Sequence, residues 1–480
     1  MKSWFKTYWL LLVLPILYIV LISQYINGDI SPNNHNLIIT LTTIENWMND
    51  GALAHNFNLI NAWGNPGDLN VHYYPRVMSE EGRNYFVSYP PLSFIVFYGV
   101  VNIFNPSNLV IAFKLFGVFI HLISFWLVFY IVKDKCSLWS SYLLSGLFLF
   151  FPSSIVLSLM YYPEQLIIPL ILLFIIILET SQSTVKNILL VLMSFLLVYC
   201  DWLGALLIAS VVFFNIVIVR DRNFKEASLL IMGGLLGGGI LLIQYSSING
   251  FEALFHGLKL RYLERSGVFS ETYSDRGVNL YSYNTLVYVY KHLIPTVIGA
   301  AIGLLFLGFK KCKVWKSKWF WLVVTPVLLH MILIFNSNIL HFQNLAKLSI
   351  VFILGSVLWI TRKSIEPIIV CSILSLNIFL STFVISDYFR TYSVSSLIYE
   401  KAEFIKAQIK SDDVCILLQD GFSEDLVLLS YLTKRNLIWY ANIDEAKISM
   451  KEQKDQSSFR WIDFENRKSG FCFEYNDLKK

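Results

Sequence analysis

The chain reads as an all-α polytopic membrane bundle of about eleven transmembrane helices plus one re-entrant or juxtamembrane segment, followed by a small C-terminal α/β domain. Three observations predict this. Apolar residues make up 56% and aromatics 16% of the 480 residues, and the mean hydropathy of +0.58 lies far above that of a soluble domain. Apolar runs close to the length needed to cross ~30 Å of hydrocarbon recur along the chain. After Ile385 the composition turns charged, with helix-like and strand-like patterns in alternation. Residues 1–386 therefore form the expected membrane module, with a first polar loop at 27–106, and residues 387–480 the small domain.

The runs cover residues 8–26, 109–132, 138–157, 165–178, 187–199, 205–219, 227–247, 287–309, 319–335, 345–360 and 367–385. Lys2 and Lys6 precede the first, and no small-residue cleavage site separates it from Asn27-Gly28-Asp29, so it is expected as a retained helix rather than a signal peptide. Beyond Ile385, the pattern predicts helices at 396–410 and 424–433 and strands at 414–419, 437–440 and 470–475.

Orientation turns on residues 89–104, which include Pro90 and Pro91 and offer an apolar stretch too short for a comfortable span. Read as re-entrant or interfacial, this segment places Lys133, Lys135, Lys186, Arg220, Arg222, Lys225, the cluster at 310–318, Arg362 and Lys363 on the side of the N-terminus. That is the cytoplasmic excess of basic residues found in inner or plasma membrane proteins. The net charge of +5 is thus explained by topology, and because its basic residues form no single stripe, no nucleic-acid partner is expected. The outer face then carries the loop 27–106, the turns 160–164 and 200–204, the stretches 248–286 and 336–344, and the C-terminal domain. Cytosolic nucleotide donors do not reach that face, so group-transfer chemistry there requires a donor already in the membrane.

Several residues on the outer face carry a resemblance. Asp29 follows the first helix, His35 comes a few residues later, and an amphipathic segment runs over 37–54. Tyr89-Pro90-Pro91-Leu92 leads into the short segment, Glu164 lies at the third outer turn, and Asp201-Trp202-Leu203-Gly204 forms the next. This set resembles the GT-C superfamily of polyprenyl-phosphate-sugar-dependent membrane glycosyltransferases, relatives of protein O-mannosyltransferases and lipid A aminoarabinose transferases. The resemblance implies a polyprenyl-phosphate-sugar donor, a glycan, lipid or protein acceptor, and inverting transfer. One departure is visible: many members carry two adjacent acids in the first loop, whereas Asp29 is followed by Ile30.

Inverting transfer to a hydroxyl needs a carboxylate to take the acceptor's proton, and Asp29 is the candidate base. Burial near the interface raises a carboxyl pKa toward the working range. The competing reading makes Asp29 a helix N-cap, with Ser31 or Asn34 in similar work. Glu164 is the second catalytic candidate; against it stands a plain first-turn acid meeting the helix dipole. By resemblance the acid at this turn positions substrate or, in some branches, holds a divalent metal, so no cofactor is fixed. His35 is a candidate to orient a carboxylate or meet the donor phosphate. Tyr89 stands at the loop exit, and Trp202 beside Asp201 suits a sugar face and its hydroxyls, or an interfacial anchor.

A leaving lipid phosphate needs fixed cations. Arg261 and Arg265 are four apart and share a helical face, with Glu264 as a competing partner for Arg261; Arg276 adds a further candidate. His341 and Lys347 flank Gln343-Asn344, and a lysine just inside a helix is costly unless paired. One of Arg261, Arg265 and Lys347 is expected to grip the phosphate.

Gly233, Gly234 and Gly237 to Gly239 lie in an apolar helix, so they predict close helix packing rather than a phosphate loop. His55 and His72 lack zinc-ligand spacing. Cys415 and Cys472 fall in candidate strands of an outer domain, where a disulfide is allowed; Cys136, Cys200, Cys312 and Cys371 show no pairing or metal pattern. Two other readings share many of these features. A polysaccharide polymerase or ligase would place its arginines and histidine in a late outer loop, as at 261–276 and His341; a lipid or solute transporter would show an internal repeat and mid-span charges.

Overall fold

The computed structural model describes residues 12–27, 35–60, 63, 77–78, 84–134, 137–161, 163–219, 223–266, 320–334, 338, 342–351, 367–391, 396–408, 414–418, 426–435, 437–440, 459–463 and 468–471. In chain order the helices are α1 Val13–Ile26, α2 His35–Asn46, α3 Leu92–Phe104, α4 Leu109–Lys133, α5 Leu138–Leu149, α6 Pro152–Ser158, α7 Pro163–Glu179, α8 Thr184–Cys200, α9 Trp202–Phe213, α10 Phe224–Ser266, α11 Thr325–Leu333, α12 Pro367–Thr391, α13 Ser396–Gln408 and α14 Leu426–Thr433. The strands are β1 Val77–Met78, β2 Asn84–Tyr85, β3 Val414–Leu418, β4 Leu437–Tyr440, β5 Phe459–Asp463 and β6 Lys468–Phe471.

Two compact units divide the chain. The first gathers Met1–Gly28, Tyr89–Leu242 and Lys259–Arg390; the second gathers Asp29–Ser88, Ile243–Leu258 and Thr391–Lys480. The first polar loop thus groups with the C-terminal residues, although more than three hundred positions separate them in sequence.

Among the described residues, α4 and the Phe224–Leu263 part of α10 are long and apolar enough to cross a membrane. The other apolar stretches are shorter, Leu374–Phe389 within α12 among them; at 1.5 Å per residue, the 17 residues of α7 or α8 cover about 25 Å. The expected run at 138–157 is not one helix, because α5 and α6 meet at a 63° bend where Pro152 opens the second. The run at 287–309 and most of 345–360 lie outside the described residues. The short segment after Pro90 and Pro91 forms α3, a 13-residue helix whose end at Asn105 turns left-handed with φ of 40°. The eleven runs therefore stand as apolar segments, of which these two satisfy the length of a crossing.

The first unit packs around α4, which buries Phe113, Phe125, Val128 and Val132. Gly117 lets the backbone of Ser158 approach, since a Cβ there would lie 2.3 Å from the Ser158 carbonyl oxygen. The glycine-rich stretch of α10 works in the same way against α8: a Cβ on Gly233 would fall 2.3 Å from Val191 O, and one on Gly237 2.8 Å from Phe195 O. Close packing is what these glycines permit.

A fully bonded charge cluster fastens the C-terminal end of α7. Lys186 Nζ donates to Leu178 O and Thr180 O, both at 3.0 Å, and lies 3.8 Å from Glu226 Oε2, while Asn215 Nδ2 donates to Glu226 Oε1 at 2.9 Å. Lys186 and Glu226 are both buried, and their bonds answer carbonyls that a helix end leaves open. Lys186→Met strips the ion partner from a buried carboxylate, which costs about 3–5 kcal/mol. The expected result is a lowered thermal midpoint for the detergent-solubilised protein.

In the second unit, α2 is buried around its circumference, from Leu37, Ile38 and Ile39 through Thr40, Thr42 and Thr43. Over 37–46 this corrects the amphipathic segment expected over 37–54: α14 packs on α2, and its hydroxyl-bearing face is covered rather than wet, while Met48 and Leu53 further on are exposed. The chain then tightens into a π turn, Trp47–Gly51, and a 3₁₀ turn, Ala52–His55. His55 bridges Asp50 Oδ2 through Nε2 at 3.2 Å and the Tyr85 hydroxyl through Nδ1 at 3.1 Å. Glu45 at the end of α2 accepts the Tyr431 hydroxyl at 2.8 Å and pairs with Lys434, whose ammonium lies 3.7 Å from the Tyr431 ring centroid and 4.5 Å from that of Trp63. The C-terminal residues include a sheet of order β4-β3-β5-β6, in which β3 is parallel to β4 and β5, and β6 is antiparallel to β5. The helix α14 supplies the crossover that a parallel β3–β4 pair requires. The strand β5 had no counterpart among the expected strands. Cys472 lies outside the described residues.

Candidate functional site

A buried group of five ionisable side chains gathers within the first unit: Glu164, Asp201, Arg265, His330 and Lys347. Glu164 stands in the first turn of α7, where Pro163 begins the helix and negative charge meets the positive end of the dipole. The turn before it is held hard. Tyr161 has φ of 21°, donates its hydroxyl to Ser93 O at 2.8 Å, and packs its ring on Phe97, Phe113 and Phe116. Left-handed backbone at a bulky residue persists only where its surroundings enforce it.

Asp201 is the N-cap of α9 and accepts from the Leu203 amide at 2.7 Å through Oδ1. The turn that presents it depends on Gly204, because a Cβ there would lie 2.0 Å from Leu197 O. His330 comes from α11, which packs against α9, and its Nε2 lies 3.8 Å from Asp201 Oδ1. Lys347 follows the 3₁₀ turn Phe342–Ala346, which packs on α6. Its Nζ is 3.7 Å from Glu164 Oε1 and 3.4 Å from His330 Nε2. The order of contact is therefore Glu164, Lys347, His330, Asp201. Lys347 is 0% exposed, and Glu164 and Asp201 are 3% and 2% exposed.

Arg265, near the end of α10, lies with its guanidinium carbon 4.4 Å from the centroid of the Tyr89 ring. Three buried atoms of this group have no hydrogen-bond partner among the described residues: Glu164 Oε2, Arg265 Nε and His330 Nδ1. Buried polar atoms are nearly always satisfied, and each exception calls for a reason. The cluster at Lys186 makes the contrast plain, since its lysine and carboxylate oxygens are bonded at the other end of α7. An acceptor oxygen, a guanidinium donor and a ring nitrogen left open together form a set that a polar ligand completes.

Of the site residues expected from sequence, Tyr89, Glu164, Asp201, Arg265 and Lys347 come together here. Trp202 is the first residue of α9 and half-buried, and Arg261 is half-buried one turn before Arg265. His35 opens α2. Asp29, Arg276 and His341 lie outside the described residues. His330 was not among the expected residues, yet the signal was present: a lone ionisable residue inside an apolar run is a functional candidate. Among the described residues, no three of His, Cys, Asp and Glu form a group able to hold a metal ion.

Comparison with solved structures decides the fold. The oligosaccharyltransferase of Archaeoglobus fulgidus, tethered to an acceptor peptide containing an NVT sequon, superposes with a TM-score of 0.54 at 13% identity over 91% of this chain. The chain shares that enzyme's fold. The same enzyme in its complex with Zn and sulfate gives a TM-score of 0.51 at 11% identity over 89% of this chain. This chain spans 64% and 62% of the length of those two chains. ArnT of Cupriavidus metallidurans bound to undecaprenyl phosphate gives a TM-score of 0.46 at 10% identity, covering 96% of this chain and 93% of that one. No family model and no curated protein matches the sequence.

Proposed function

We propose that the chain is a multi-pass membrane glycosyltransferase that moves a sugar from a polyprenyl-phosphate donor to a hydroxyl of a glycan, lipid or protein acceptor on the extracytoplasmic face, with inversion. The observation that carries the reading is the buried set of Glu164 Oε2, Arg265 Nε and His330 Nδ1, open to a polar ligand on a GT-C fold. In the reaction, the acceptor oxygen bonds to the anomeric carbon as its proton passes to the Asp29 carboxylate, and the bond from that carbon to the phosphate oxygen breaks. The polyprenyl phosphate leaves with the bonding electron pair. Its charge needs a fixed cation. Among Arg261, Arg265 and Lys347, Arg265 suits that task best: Lys347 is already engaged by Glu164 and His330, whereas Arg265 keeps an open Nε above the Tyr89 ring. Glu164 receives a sugar or acceptor hydroxyl through Oε2. His35, Trp202, Arg276 and His341 remain proposed substrate contacts on the strength of the sequence.

Transfer of radiolabelled sugar from a panel of polyprenyl-phosphate donors in membranes tests the activity, and Arg265→Ala is expected to lose at least ~100-fold, the scale of removing one charge-stabilising donor. A wild-type protein that transfers none of the sugars tested would count against the reading. The choice of a lipid donor rests on topology. A cysteine placed at Asn105 is expected to react with an impermeant thiol reagent added from outside, and labelling only after permeabilisation overturns the orientation.

A further inference from the structure

We propose that Lys347 is the built-in cation of the acidic cluster, standing where a divalent metal would otherwise be needed, so that the chain works without one. The inference rests on the sugar-transfer reading only for the identity of the leaving phosphate.

Glu164, Asp201 and His330 are the kinds of donor that hold divalent cations: two carboxylates and an imidazole. Their arrangement does not suit that task. Lys347 Nζ contacts two of them, at 3.7 Å from Glu164 Oε1 and 3.4 Å from His330 Nε2, and the same His330 nitrogen is 3.8 Å from Asp201 Oδ1. A metal bonded to both Glu164 Oε1 and His330 Nε2 sits ~2.1 Å from each. That places it within a few ångströms of an ammonium which is 0% exposed and so shielded by no water. Two cations do not share that space.

A buried lysine is itself expensive, and chains keep one where its charge has work to do. Lys347 draws Glu164 and, through His330, Asp201 into one group in which Glu164 Oε2 and His330 Nδ1 have no hydrogen-bond partner among the described residues. From within the cluster its positive potential supplements that of Arg265, which meets the departing phosphate itself. Unlike a metal, the lysine does not dissociate and is not stripped by chelators.

The test uses the full chain, washed with chelator in detergent, and Mn2+ as the probe, read by electron paramagnetic resonance and by the thermal midpoint. The wild type is expected to bind no stoichiometric Mn2+ and to keep its midpoint when Mn2+ is added. Lys347→Ala is expected to gain one Mn2+ per chain, with a rise in midpoint, and the Lys347→Ala/Glu164→Gln double variant is expected to lose it again. Lys347→Arg, which keeps the charge, is expected to behave as wild type. One Mn2+ bound by the wild type and lost in Glu164→Gln overturns the proposal, and so does a folded Lys347→Ala protein that gains none. If Lys347→Ala does not fold, the wild-type titration decides alone. No sugar donor enters these measurements. A wild type that transfers sugar but needs Mn2+ keeps the proposed function and sinks the lysine cation; one that binds no Mn2+ and transfers nothing does the reverse.

Discussion

Glu164→Gln is expected to abolish sugar transfer and to destabilise the first unit, and the two losses separate in a double variant. The carboxylate has two oxygens in different states: Oε1 faces Lys347 Nζ at 3.7 Å, and Oε2 is buried with no partner among the described residues. Replacing it with an amide keeps the shape and removes the charge. Lys347, 0% exposed, is then a buried ammonium without its carboxylate, a loss of about 3–5 kcal/mol. Adding Lys347→Met removes the orphaned charge along with the first, which makes the double change close to neutral in stability. Activity follows a different rule. If Oε2 receives a substrate hydroxyl, the double variant regains its thermal midpoint and stays inactive by at least ~100-fold. Recovery of both would show that Glu164 only balances Lys347.

Asp29→Asn is expected to lower transfer by about 10²–10⁴-fold while leaving donor affinity and the thermal midpoint near wild type, as removal of a general base does. The amide cannot take the acceptor's proton, yet it keeps a polar side chain where an N-cap would need one. That makes the pair of readouts decisive. With the midpoint near wild type in either case, an N-cap role predicts full activity and a base predicts its loss. Full activity in the folded variant would require another residue as base. The prediction rests on sequence, since Asp29 is followed by Ile30 and no neighbouring carboxylate can stand in for it.

Much of the candidate site was legible as separate residues. Glu164 and Asp201 each follow an apolar run and precede another, and charge at such a junction is informative because hydrocarbon excludes it. Lys347 is informative for the same cause: a lysine just inside a helix must find a partner. Which partner it finds is a long-range matter. Glu164 and Lys347 are 183 positions apart, and no local pattern pairs them. A single histidine in an apolar helix most often serves packing, and only the nearness of His330 to Asp201 and Lys347 gives it weight. The choice between Arg261 and Arg265 was equally closed to sequence. Both lie on one helical face, and the aromatic ring of Tyr89, arriving from another part of the chain, separates them.

The sequence by itself determined that the chain is mostly apolar helix, the placement of most described helices and the packing role of the α10 glycines, because hydropathy, length and residue size act locally. It did not determine that the run at 138–157 bends by 63°, that α2 is buried on every side, or that the first loop groups with the C-terminal residues. Those depend on which surfaces meet. The tertiary structure alone decided that a buried lysine joins two acids through a histidine, since charges placed far apart along the chain acquire an interaction only when folding removes the water between them.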